Sequence, residues 1–138
     1  MTQLIELFGH FHPALVHLPI GFLLLALILQ WLSVKEKYAG IVPSVRVSFL
    51  LGMISAALSC LSGLSLSSDG DYDASTLQFH KWFGISVAIF SAIGYWYLAK
   101  PESVIKKTIS IATLLLIIIT GHLGGTLAYG EGFLTKGF

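Results

Sequence analysis

The sequence predicts an all-α integral membrane protein, a four-helix transmembrane bundle built from two similar helical hairpins. Three observations carry this. Of 138 residues, 55% are hydrophobic and only 11% charged, against roughly 25% charged in an ordinary soluble domain. Four apolar stretches, each near the ~20 residues that cross a hydrocarbon core as a helix, use up nearly the whole chain, so that 1–138 reads as a single transmembrane domain. The chain also repeats itself weakly at an offset of 62 to 63 residues: His17-x-x-x-Gly21 returns as His80-x-x-x-Gly84. Cys60-Leu61-Ser62-Gly63 before Asp69-Gly70 is matched by His122-Leu123-Gly124-Gly125 before Glu131-Gly132. Two hairpins related by a pseudo-twofold along the membrane normal give such a pattern.

The first helix is expected from about 13 to 34. Pro13 suits a first helical turn, where its missing N–H would be unpaired anyway, and Pro19 should remove the bond to the Leu15 carbonyl and bend the helix beside His17. Lys35-Glu36-Lys37 ends the span. The second helix, about 43 to 66, carries Gly52, Ser55, Ala56, Ala57, Ser59, Ser62 and Gly63, small residues that favour close packing in lipid. Ser67 to Asp73 forms the most polar loop. The third helix, about 77 to 98, ends in Tyr95-Trp96-Tyr97, an aromatic cluster typical of a membrane boundary. Lys100-Pro101-Glu102 turns the chain into the fourth, about 104 to 128, followed by a short tail from Tyr129 to Phe138.

The N-terminus has no positive n-region and no small-residue cleavage site after the apolar run, so the first helix is expected to stay. A net charge of +1 gives no reason to expect a nucleic-acid partner. The single cysteine, Cys60, excludes an internal disulfide and a Cys-x-x-Cys-His attachment of c-type haem. Lys35, Lys37, Arg46, Lys100, Lys106 and Lys107 fall on one side of the expected bundle. The positive-inside tendency makes that side cytoplasmic and places both termini and the acidic loop outside, in the periplasm if the membrane is a bacterial inner membrane.

The histidines carry the chemistry. An ionisable side chain inside a membrane segment is by default a functional-site hypothesis. His17, His80 and His122 each lie some six to eight residues from the middle of their helices, roughly 9–12 Å from the midplane at ~1.5 Å per residue, and all on the outer side. His10 and His12 lie just above that layer. A lone histidine at a helix end is ordinarily an interfacial hydrogen-bonding residue. Three in one layer, with no intramembrane carboxylate to pair with, point to ligands.

Neutral imidazole binds haem iron, copper, zinc or nickel. Haem b is favoured by the glycines near each histidine: Gly21 after His17, Gly84 after His80, and Gly121, Gly124 and Gly125 around His122. A flat macrocycle needs helix surface free of side chains, and glycine permits close approach. Helices packing 8–10 Å apart put diagonal neighbours at roughly the span of an imidazole–iron–imidazole axis, which selects His17 and His80 as the pair, with His122 as alternative or second-site ligand. A copper or zinc site from His12, His17, His80 and His122 is the alternative, though it needs a tighter cluster. Lys81 and Trp82 would steady propionates or an aromatic headgroup, unless they are simply an interfacial pair. Asp69, Asp71 and Asp73 would dock a basic partner, unless they form only a solvated loop.

The segment His12-Pro13-Ala14-Leu15-Val16-His17-Leu18-Pro19-Ile20 resembles the His-Pro-x-x-Val-His-Phe-Pro-Ile signature of a bacterial family of predicted four-helix membrane proteins classed as a domain of unknown function. Gly121-His122-Leu123-Gly124-Gly125-Thr126-Leu127-Ala128-Tyr129-Gly130-Glu131 resembles the Gly-His-x-Gly-Gly-x-Leu-Thr-His-Gly pattern of a related form fused to cytochrome c domains in planctomycete-type and Bacteroidetes proteins. The resemblance covers essentially the whole chain. Fusion to cytochrome c implies respiratory electron transfer and is compatible with haem. The chain departs from the pattern at Tyr129, where that form has histidine.

The expected function is therefore membrane-bound electron transfer by a b-type haem near the periplasmic face. Quinol or cytochrome c would be the redox partner, and the chain would work as a homo-oligomer or a subunit of a larger membrane complex surrounded by lipid. Its rivals are a transition-metal binding protein and a structural subunit without cofactor. No Gly-x-Ser-x-Gly, His-Glu-x-x-His or phosphate-binding glycine loop supports hydrolytic chemistry.

Overall fold

The computed structural model describes residues 2–67, 71–98 and 103–132. Asp69 and Gly70, the Lys100-Pro101-Glu102 turn and most of the C-terminal tail lie outside the described residues. All regular structure among the described residues is helical: α1 (Thr2–His10), α2 (His12–Leu15), α3 (His17–Ser33), a 3-10 helix (Glu36–Ile41), α4 (Val42–Leu66), α5 (Ala74–Tyr97) and α6 (Val104–Tyr129).

Local chemistry sets the boundaries. Pro13 lies in the first turn of α2. Pro19 offers no N–H to the Leu15 carbonyl, and the helix is broken at Val16, with a long 3.4 Å bond from Ile20 N to Val16 O across the break. The Asp73 carboxylate caps α5 by accepting from Thr76 N and from Ser75 Oγ, both at 2.8 Å. Ser103 Oγ accepts from Lys106 N to cap α6, which ends at Gly130 with φ of 84°, the left-handed geometry glycine supplies at helix ends.

Packing centres on α4. It lies against α3 on one side and α5 on the other, with α1 and α2 across its C-terminal end, while α6 packs on α5 and meets α3 over a much shorter line. Leu23, Ala26 and Leu27 of α3, Val45 and Phe49 of α4, Val87 of α5 and Ile117 of α6 form the core. Glycines let these elements close: a Cβ on Gly52 would lie 2.5 Å from Leu23 Cδ2, and one on Gly94 would lie 2.9 Å from Phe49 Cε1. Buried hydroxyls are mostly satisfied within their own helices, as Ser55 to Leu51 O and Thr113 to Ile109 O show. Ser110 Oγ also donates to Gln30 Oε1 at 3.2 Å and ties α6 to α3.

The exterior is apolar. Leu25, Ile28, Leu51, Ile54, Leu58, Leu115 and Ile118 point outward, an arrangement suited to lipid rather than water. Among the described residues, three stretches are long and apolar enough to cross a membrane: His12–Ser33, Glu36–Leu66 and Val104–Tyr129. The second begins seven residues before the expected Pro43, because the 3-10 helix continues the helical path back to Glu36. α1 has no counterpart in the sequence expectation. It is held by Gly9, buried against the Leu66 backbone, and by Ser65 Oγ donating to Ile5 O at 2.7 Å.

Candidate functional site

His12 and His80 come together. Their ring centroids lie 6.1 Å apart with planes at 87°, and both rings are half-buried between helices. His12 Nδ1 lies 3.0 Å from Ser59 O and 3.1 Å from Ser62 Oγ. His80 Nδ1 lies 3.1 Å from Thr120 O. A carbonyl only accepts, so in each ring Nδ1 carries the proton and donates it, leaving the Nε2 lone pair for another use. Neither Nε2 makes a hydrogen bond among the described residues.

Each ring also lies on a glycine one turn beyond the carbonyl it bonds. A Cβ on Gly63 would be 2.7 Å from His12 Cε1, and one on Gly124 would be 3.1 Å from His80 Cε1. Ser59 Oγ and Thr120 Oγ1, on the residues whose carbonyls receive the imidazoles, are the buried hydroxyl atoms without a hydrogen-bond partner among the described residues. The same construction therefore occurs twice: His12 with Ser59 and Gly63 of α4, and His80 with Thr120 and Gly124 of α6.

The other singled-out residues lie elsewhere. His17 is exposed, its Nδ1 bonded at 2.8 Å to Pro13 O one turn back, and it is not brought to His80. His10 is exposed and bonded in the same way to Glu6 O. His122 lies on an exposed face of α6, and its carbonyl accepts from Thr126 Oγ1. Nothing approaches within 4 Å of a Cβ on Gly21 or Gly121, and only Thr120 Cγ2, at 3.9 Å, approaches one on Gly84. Gly125 is half-buried. The glycine clearance expected for a macrocycle is, at Gly63 and Gly124, clearance for the imidazoles themselves. Trp82 is exposed beside a half-buried Lys81.

Ser59, Ser62, Gly63 and Thr120 were not singled out as site residues from sequence. The available signal was spacing. Counting back from Leu23 by alternate threes and fours reaches Pro19, Val16, His12 and Gly9, all buried or half-buried, whereas His17 shares the exposed face of Ala14, Gly21, Leu25 and Ile28. By their contacts, Gly63 corresponds to Gly124 rather than Gly125, and His80 corresponds to His12 rather than His17.

As a donor set, the site offers two imidazoles. No group of three or more His, Cys, Asp or Glu side chains that could hold a metal ion occurs among the described residues, so His12, His17, His80 and His122 do not form one cluster. At metal–nitrogen bonds of ~2.0–2.1 Å, two imidazoles on opposite sides of one ion would have ring centres roughly 6–6.5 Å apart and two at a tetrahedral ion roughly 5 Å; the ring centres here lie 6.1 Å apart. A carbonyl holding the second ring nitrogen is the usual outer partner of a ligating histidine.

Where the start of α5 meets the end of α6, Asp71, Asp73 and Glu131 line a cleft of about 200 Å³. The Thr76 backbone N–H lowers the Asp73 carboxyl to about 2, helped by the Thr76 and Ser75 side chains. That carboxylate is occupied as a helix cap.

Residues 10–137 match the protein-family model described as a predicted membrane protein (DUF2231). No curated protein and no solved structure matches the chain.

Proposed function

The chain belongs to the DUF2231 family of predicted membrane proteins, and from that premise we propose that it is a membrane-bound haem b protein whose axial ligands are His12 and His80. The observation that carries the proposal is the pairing of two half-buried imidazoles 6.1 Å apart, each with Nδ1 fixed on a helix carbonyl. Two imidazoles are the donor set that would hold a haem, whereas a bare copper or zinc site ordinarily needs three or four protein donors.

The chain's own residues would do the following. The Ser59 and Thr120 carbonyls set the tautomer and the ring orientation, and raise the basicity of each ligand. Gly63 and Gly124 admit the rings close to the helix backbone. Ligation by the two imidazoles would set the potential of a group held there. Bound there, haem supplies one-electron transfer.

The topology supports four spans. α5 runs antiparallel to α4, with His80 beside the His12 contact of α4 and Gly94 against Phe49, so it connects the ends of α4 and α6 by crossing between them. The twofold recurrence of the histidine–carbonyl–glycine construction supports two hairpins related by a pseudo-twofold. By lysine and arginine bias the histidine layer and both termini face the outer, periplasmic side. There a quinol or a cytochrome c would exchange electrons with the site, alone or within a larger complex.

A second reading has its own support. The same contacts tie α2 to α4 and α5 to α6, as a structural subunit without cofactor would use them. A reduced-minus-oxidised spectrum in mild detergent, with a pyridine haemochrome assay, separates the two. Sharp reduced α and β bands, lost in His12→Ala and in His80→Ala but kept in His17→Ala, are expected. A colourless wild-type protein after expression with ample haem would refute the proposal and leave the structural role.

A further inference from the structure

At the end of the bundle opposite the histidines, Trp31 and Val34 near the end of α3 and Lys107 and Ile111 in the first turns of α6 line a groove of about 340 Å³. It opens along the seam where α3 and α6 meet over a short line. The seam is fixed rather than loose, because Ser110, 3% exposed, donates to Gln30, 5% exposed, one residue from Ile111 and Trp31 respectively. The chemistry of the groove is divided: Trp31, Val34 and Ile111 offer apolar surface, and Lys107 is exposed at one edge.

We infer that this groove seats an anionic phospholipid, its acyl chain against Trp31, Val34 and Ile111 and its headgroup phosphate on the Lys107 ammonium. Basic pockets between membrane helices bind anionic headgroups in this way, and an indole at the same level fits the interfacial zone. Charge complementarity selects the lipid over a second copy of the chain: apposed copies would bring two Lys107 side chains together. No acidic side chain lines the groove among the described residues.

The test uses the full chain with Trp82→Phe and Trp96→Phe, both at exposed positions, so that Trp31 is the reporter. Brominated phosphatidylglycerol or brominated phosphatidylcholine is supplied as a minor component of a phosphatidylcholine bilayer, and quenching of Trp31 is read. The anionic lipid should be preferred by roughly fivefold, the effect of about one lysine at a charged surface. The preference should vanish in Lys107→Gln and persist in Lys107→Arg. Equal quenching by the two lipids, or a preference that survives Lys107→Gln, would overturn the inference. So would loss of quenching by both lipids as protein density in the bilayer rises, which would give the groove to a second copy.

Discussion

Replacing Gly63 by alanine places a methyl group 2.7 Å from His12 Cε1, 3.1 Å from Nδ1 and 3.3 Å from Nε2. The whole edge of the ring must retreat. It cannot swing freely, because Nδ1 is held by Ser59 O and Ser62 Oγ. Overpacking of this kind costs about 1–3 kcal/mol, and loss of the imidazole hydrogen bond adds about 0.5–1.5 kcal/mol. Against this, alanine in a helix interior gains about 0.8–1.0 kcal/mol over glycine. The net expectation is a loss of about 1–3 kcal/mol, read from unfolding in mixed micelles of dodecyl sulfate and mild detergent. A double-mutant cycle isolates the cause. With His12→Ala already present there is no ring to displace, so Gly63→Ala should be neutral or stabilise by up to about 1 kcal/mol, a coupling of about 1–4 kcal/mol. If Gly63→Ala cost the same in both backgrounds, or nothing in the wild type, the packing of His12 on α4 would be refuted.

Other outcomes follow from the same geometry. Gly124→Ala, whose methyl would lie 3.1 Å from His80 Cε1, should be milder than Gly63→Ala in the same assay, while Gly21→Ala, with nothing within 4 Å, should gain up to about 1 kcal/mol. Gly52→Ala should cost about 1–3 kcal/mol, because its methyl would lie 2.7 Å from Cγ of the fully buried Leu23; thermal unfolding of the purified protein checks this. His17→Ala should change stability by no more than about 0.5 kcal/mol, since its exposed ring bonds only within its own turn. Asp73 has a folded pKa lowered to about 2, below the ~3.9 of a free aspartate. The stability it lends α5 is full above the unfolded value and disappears as pH falls through about 2. Asp73→Ala should therefore lower the melting temperature at pH 7 and have progressively less effect as the pH is taken down through that range.

The all-helical class was legible because runs of uncharged apolar residues admit little else in lipid. The long helices begin and end near the polar and proline signals that bound those runs. α1 was not legible: Thr2–His10 is short, and its helix is secured by Gly9 and Ile5 reaching Ser65 and Leu66, more than fifty residues away. The break at Val16 was legible from Pro19, but its consequence was not. Depth along the helix axis was estimated from residue counts, and that places His17 and His80 in one layer. It does not say which way a ring faces.

Facing is an angular property, and it decides between the two N-terminal histidines. Five residues separate His12 from His17, which at ~100° per residue puts them roughly 140° apart around a helix, so both cannot enter the same interface. The buried stripe of α3, extended back through Val16, passes through His12 and Gly9 and leaves His17 outside. On α5 the stripe Gly94, Ser91, Val87 and Gly84 leads back to His80. The opposing surfaces are stripes made mostly of small residues: Gly52, Ser55, Ser59, Ser62 and Gly63 on α4, and Ser110, Thr113, Thr120 and Gly124, interrupted by Ile117, on α6. Only small residues expose the helix carbonyls to a side chain from a neighbour, so Ser59 O and Thr120 O are within reach of an imidazole where a leucine at the same positions would have covered them. The ring pair is thus fixed by four helix faces at once. That is why a substitution at Gly63, which carries no charge but lies against the His12 ring, is expected to disturb the ring pair as strongly as one in the rings themselves.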